Sequence, residues 1–138
     1  MMKSLALIVS RGSHNAMVQA LTLIMAAVSS ELAVRVFFRD EAIVKITKAR
    51  AHEIQLSEGY RGLEQETMDR LRAQRLSDLP TLMREVKAAG DVRLYACSSS
   101  MAICGVKPED LLDEIDEVRG ITAFLLDDVA QADRVLTF

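Results

Sequence analysis

Apolar residues fall along this chain as short unbroken runs alternating with longer runs at helical spacing, and that alternation predicts the fold. Leu5-Ala6-Leu7-Ile8-Val9 is a continuous apolar run, followed by the polar turn Ser10-Arg11-Gly12-Ser13-His14-Asn15. A long apolar stretch from Ala16 to about Ser29 then reads as a buried helix. Leu32-Ala33-Val34-Arg35-Val36-Phe37-Phe38 restores the strand pattern within three residues of the helix end, the spacing of a βαβ crossover. Strands this apolar are expected to be covered on both faces.

From Asp40 the pattern turns helical through Ile43, Val44 and Ile46. Thr47 to Ser77 then carries six Lys/Arg and five Asp/Glu, with breaks at Gly59 and Gly62, and reads as a charged insertion at about 47–77. Leu63, Met68, Leu71 and Leu76 give it only a thin apolar stripe, so it is either a solvated insertion or an exposed helix serving as a lid or oligomer arm. Asp78 has the chemistry of an N-cap, Pro80 fits the first turn, and Gly90 stops the helix. Asp91-Val92-Arg93-Leu94-Tyr95 is a strand running into Ala96-Cys97, and a short helical turn reaches Gly105. A helix is expected from Pro108-Glu109-Asp110-Leu111-Leu112, a brief strand at Glu117-Val118-Arg119, a helix from Ile121 to Gln131 and a final strand from Ala132 to Phe138. About five strands alternating with helices predict a three-layer α/β fold with a mostly parallel sheet, in one domain over residues 1–138.

Composition narrows the function classes. Half of the 138 residues are apolar, enough for a real core, and the net charge of −3 lacks the basic stripe of a nucleic-acid binder. The longest apolar stretch, Ala16 to Val28, is interrupted by Gln19 and Thr22 and falls short of the roughly 20 residues of a bilayer span. Met1-Met2-Lys3-Ser4 leads into too short an apolar run for a signal peptide, so a cytoplasmic location is the expectation. Cys97 and Cys104 are too few for a disulfide framework or a structural zinc site, and His14 and His52 stand in no ligand pattern, so no metal is expected.

The chemistry concentrates where the strand ending at Cys97 gives way to Ser98-Ser99-Ser100, small polar residues suited to a helix start. Backbone N–H groups at such a start favour an anion and can draw a thiol below its free pKa of roughly 8.5. The same position also suits a small buried hydrophobe, and both readings stand. A flavodoxin-like winding would make the first and third strands neighbours and bring Arg11, Gly12 and His14 beside Cys97, a cation or imidazole there stabilising a thiolate or shuttling a proton. Gly12 is a lone glycine, so neither the G-x-G-x-x-G nor the P-loop pattern is present, and no G-x-S-x-G elbow occurs. Cys104, seven residues on, would lie roughly 10 Å from Cys97 along a continuous helix, beyond disulfide range. It is either a second redox thiol on a bent segment or a packed apolar residue.

Ala96-Cys97, Ser100-Met101, Gly105, Glu109-Asp110-Leu111-Leu112, the first-strand loop and the terminal Ala132 to Phe138 together resemble the DsrE/DsrF-like family, closest to its single-chain, peroxiredoxin-related branch. The resemblance implies a flavodoxin-like α/β fold, assembly as trimers or hexamers, and a cysteine, here Cys97, that carries sulfane sulfur as a persulfide. It implies no cofactor, with a persulfide donor and a thiol acceptor protein as partners, and neither nucleic acid nor membrane. The chain departs from the pattern at Asp40-Glu41-Ala42, where relatives often have a glycine, and in the 47–77 insertion. The expected function is a sulfur carrier or sulfurtransferase. The alternatives are a thiol redox protein using Cys97 and Cys104, and a non-catalytic oligomeric interaction module.

Overall fold

A computed structural model describes residues 1–138. Its elements run β1 (Ser4–Val9), α1 (His14–Ser29), β2 (Ala33–Phe38), α2 (Glu41–Lys45), α3 (Glu64–Ala73), α4 (Leu79–Ala89), β3 (Val92–Cys97), α5 (Ser98–Cys104), β4 (Glu117–Arg119), α6 (Ile121–Ala123) continuing as a π-helical stretch (Phe124–Val129), and β5 (Arg134–Thr137). This is the predicted three-layer α/β architecture around a five-stranded sheet in which every neighbouring pair is parallel.

The strand order is β4-β3-β2-β1-β5. It corrects the expectation that the first and third strands are neighbours, because β2 lies between them and pairs with both. The chain steps from β1 through β4 in one direction, then returns across the sheet to place β5 on the far side of β1. Right-handed crossovers put the helices of the same-direction steps on one face and the helix of the return step on the other. The packing agrees. Ile8, Phe37 and Tyr95 form one register row, and Phe124 covers it, stacked on Phe37 at 4.7 Å between ring centroids and edge-on to Tyr95 at 6.1 Å. Leu7, Val36 and Leu94 form the adjacent row, which points to the opposite face and is fully buried. Burial on both faces explains why β1, β2 and β3 read as unbroken apolar runs.

Local chemistry sets the element ends. The Ser13 hydroxyl accepts the N–H of Ala16, so α1 begins at His14, two residues before the apolar stretch. The Asp78 carboxylate accepts the N–H of Thr81 to start α4, as its sequence predicts. Pro108-Glu109-Asp110 makes a single 3-10 turn rather than opening a helix, because Leu111 leaves it for an antiparallel bridge to Thr47. In the charged segment α3 buries no residue, and Leu63 is exposed. The flanks of that segment are less solvated than their composition suggests. Thr47 and Ala51 are buried, the Gln55 carbonyl accepts the His14 N–H at 2.7 Å, and Asn15 and Ser57 exchange two hydrogen bonds. No helix is long and apolar enough to cross a membrane.

Candidate functional site

Cys97 is the last residue of β3 and the N-cap of α5, with no exposed surface. Its sulfur lies 3.2 Å from the hydroxyl of the exposed Ser99, one side chain beneath solvent. Burial pushes the thiol up, but the Ser100 and Ser99 hydroxyls and the backbone N–H groups of the same two residues pull it further down, leaving it below the ordinary thiol value. Hydrogen bonds to the charged form therefore outweigh desolvation at this sulfur. Of the expected support, Ser98, Ser99 and Ser100 stand on the first turn of α5, and the Ser99 hydroxyl touches the sulfur.

The topology supplies a second reason to place a site here. The crossovers leaving β3 and β4 go to opposite faces of the sheet, and such a switch point opens a crevice beyond the carboxyl ends of the two strands. Cys97 pairs in register with Arg119 at the end of β4, and a Cβ on Gly120 would make an ordinary contact of 3.9 Å with the Ser98 hydroxyl oxygen. The Arg119 guanidinium stacks 4.6 Å over the Tyr95 ring and pairs with Asp128 at 2.5 Å and Glu117 at 2.8 Å. The Asp128 pair ties the π-helical stretch to the sheet. The sequence reading passed over Arg119, since nothing in the linear pattern signals which strand becomes the neighbour of Cys97.

Asp40 opens the segment Asp40-Glu41-Ala42 in which the sequence departs from the family pattern, and its backbone is strained. Asp40 has φ 52° and ψ −134°, a conformation that costs an L residue about 1–3 kcal/mol. Its N–H donates to the Ser100 hydroxyl at 2.9 Å, fastening the end of β2 to the first turn of α5. Cys104, at the other end of α5, directs its thiol to the Asp40 carbonyl at 3.9 Å. Both cysteines are free.

The other residues expected at the site gather at a separate corner. With β2 interposed, the end of β1 stands two strand spacings, roughly 10 Å, from β3. Arg11 is exposed there and has no ion-pair partner. Gly12 is wedged against α2, where a Cβ would sit 2.6 Å from the Glu41 carbonyl oxygen. His14 is fully buried, with Nε2 donating to the Leu76 carbonyl at 2.9 Å and Nδ1 without a partner. Burial lowers its pKa against the opposing Leu76 bond, and the nearby positive charge of Lys45 lowers it further. Lys45 is itself buried, its amine donating to the Ala51 carbonyl at 3.2 Å and to the Glu53 carbonyl, and burial lowers its pKa to about 8. Lys45, Gly12, Ser13, Glu41 and Arg50 line a cavity of about 400 Å³. Nowhere do three His, Cys, Asp or Glu side chains converge as a metal centre would need.

A model of the DsrE/DsrF-like family matches residues 3–138. Among solved structures, the chain is similar to MTH1491, a protein of unknown function from Methanobacterium thermoautotrophicum, with 12% identity, a TM-score of 0.65, and coverage of 97% of this chain and 98% of that one. At that identity the likeness concerns the fold. No curated protein matches the chain.

Proposed function

The chain belongs to the DsrE/DsrF-like family, and on that premise we propose that it is a sulfur carrier or sulfurtransferase that holds sulfane sulfur on Cys97. The family is associated with sulfur relay. The observation that carries the assignment is the Cys97 sulfur itself, buried yet drawn toward thiolate by the hydroxyls and N–H groups of Ser99 and Ser100. In the first step the Cys97 thiolate attacks the outer sulfur of a donor persulfide, the donor S–S bond breaks, and the donor leaves as a thiolate. In the second step an acceptor thiolate attacks the outer sulfur of the Cys97 persulfide, whose S–S bond breaks to restore the Cys97 thiolate. No electrons are gained or lost overall and no cofactor enters. The same donors that stabilise the thiolate serve the loaded state, because a persulfide ionises more readily than a thiol.

Intact mass after incubation with a persulfide donor tests the assignment. The wild-type chain gains about 32 Da, Cys97→Ser gains none, and Cys104→Ser keeps most of the capacity. Loading that survives in Cys97→Ser, or that sits mainly on Cys104, removes the proposal.

We also propose that the chain assembles with copies of itself. Leu125 and Leu126 on the π-helical stretch and Val135 and Leu136 on the edge strand β5 are all exposed, at 52%, 64%, 40% and 38%. Exposed apolar side chains on an edge strand and on a helical stretch are the kind of surface that a second copy would cover. A light-scattering mass of a single 15.3 kDa chain at all micromolar concentrations would contradict it.

A further inference from the structure

From His52 to Asp78 no residue is buried, and none of the apolar side chains in this stretch belongs to the core or packs against it. A segment held by so little apolar contact can open while the rest of the fold stays closed, unless hydrogen bonds fasten it. Two places supply them. Lys45 donates to the Glu53 carbonyl, and the start of α1 does the rest. There the His14 N–H donates to the Gln55 carbonyl at 2.7 Å, Asn15 and Ser57 exchange their pair, and His14 Nε2 donates to the Leu76 carbonyl at 2.9 Å. One residue thus grips the strap at both ends, Gln55 ahead of α3 and Leu76 behind it. The imidazole grips well only while uncharged. Its Nε2 carries the hydrogen given to Leu76, so protonation adds a hydrogen at Nδ1, which is buried with no acceptor.

We propose that His14 is a proton-released latch: protonation of its ring lets go of Leu76, and the strap from His52 to Ser77 lifts off while the sheet and its core stay folded. Lifting uncovers the cavity of about 400 Å³ beside Lys45, which Glu53, Gln55, Leu56, Ser57 and Glu58 of the strap wall off. The charges around the ring do not rescue the protonated form. Lys45 on α2 is a cation that opposes it. The neighbouring segments also carry Arg11 before α1, Arg39, Asp40 and Glu41 after β2, Arg50, Glu53, Glu58 and Arg75 along the charged segment, and Asp78 before α4, and none of them bonds the ring. α4 packs on α1 with its buried side apolar, at Leu79, Met83 and Val86. In the lifted state the imidazole meets water and titrates near 6.5, whereas burial keeps the latched ring neutral to lower pH. The lifted state therefore binds the extra proton, and acid favours it. No step at Cys97 is involved, so the latch goes beyond the sulfur-carrier assignment and stands apart from it.

The test is limited proteolysis of the full chain by thermolysin at pH 7.5, 6.5 and 5.5, with cut sites assigned by mass. Each rate is divided by that of an unstructured peptide of the strap sequence at the same pH, and low protease keeps cleavage slower than reclosing, so the rate follows the lifted population. In the wild-type chain, cuts between residues 53 and 77 should run about twofold faster at pH 6.5 and about tenfold faster at pH 5.5 than at pH 7.5. His14→Gln keeps an amide that can donate to Leu76 but takes up no proton, and its profile should stay flat within twofold. A flat wild-type profile overturns the latch, and so does a rise in His14→Gln as steep as that of wild type. Cuts within β1, β2 and β3 that keep pace with those in the strap also overturn it, because the whole chain is then unfolding. If His14→Gln does not fold, the wild-type profile decides: the stated rise confined to the strap sustains the latch, and any other profile overturns it. Cys97→Ser should follow the wild-type profile, so failure of the carrier assignment and failure of the latch are read separately.

Discussion

At the end of β3 the Cys97 sulfur is buried yet gives up its proton more readily than an ordinary thiol, whereas at the ends of β1 and β2 the buried His14 and Lys45 are pushed toward their neutral forms. Desolvation acts at both corners and disfavours charge at both. What differs is the number of partners that favour the charged form. Cys97 has the Ser99 hydroxyl 3.2 Å from its sulfur, and the hydroxyls and N–H groups of Ser99 and Ser100 draw its pKa down. His14 has one carbonyl, an unpartnered Nδ1 and the unfavourable charge of Lys45 nearby, while Lys45 has two carbonyls and the favourable charge of Glu53, which together with the opposing charge of Arg50 do not offset its burial. Burial alone thus does not mark a reactive group, and the sign of its shift depends on who shares the cavity.

The contrast breaks most readily at His14. His14→Ala leaves a cavity and strands the Leu76 carbonyl, so a loss of about 3 kcal/mol in urea unfolding is expected, with Cys97 alkylation within twofold of wild type. A slowed Cys97 with unchanged stability would place His14 at the sulfur after all. Next in size, Ser99→Ala removes a hydroxyl 3.2 Å from the sulfur and should slow alkylation at pH 7 by about threefold to tenfold while leaving the urea midpoint nearly unchanged.

Two pH dependences sharpen the opposite corner. The unfolded chain protonates His14 at about pH 6.5. The folded chain resists until lower pH, so the unfolded state binds more protons in that window and stability falls as pH drops below about 6.5. For Lys45 the unfolded value is 10.5 and the folded value about 8. Between them the unfolded state again binds more protons, so this group's contribution rises with pH from about 8 to 10.5 and is least favourable below 8. Thermal melts of wild type against Lys45→Met should show a slope in that alkaline window that the variant lacks. The smallest effect is assigned to Arg11→Ala, which should leave alkylation within twofold, since Arg11 is exposed, unpaired and separated from Cys97 by β2.

The strands and the thiol were legible in the sequence for one reason: burial on both faces writes an unbroken apolar run, and the run through Tyr95 stops where the serines begin. Strand order left no such trace. Whether β1 lies beside β2 or β3 depends on how the crossovers step, and the step is not encoded in the hydrophobicity of any single strand. Arg11 and His14 were accordingly placed one strand too near, and Arg119 was passed over. Pro108-Glu109-Asp110 carries a sound helix-start signal that a tertiary bridge at Leu111 overrides, and the run after Ile121 is helical but wound to a π repeat from Phe124. Asp40 was recognised as a departure, but its meaning required a dihedral angle.

Gly12 joins the two corners mechanically, although their chemistry is separate. Its α-carbon is pressed so close to Glu41 that any side chain would have to displace that carbonyl, and Glu41 is the residue immediately after the strained Asp40. A methyl group added at the tip of one loop would therefore act as a wedge, levering the start of α2 outward and drawing the Asp40 N–H off Ser100.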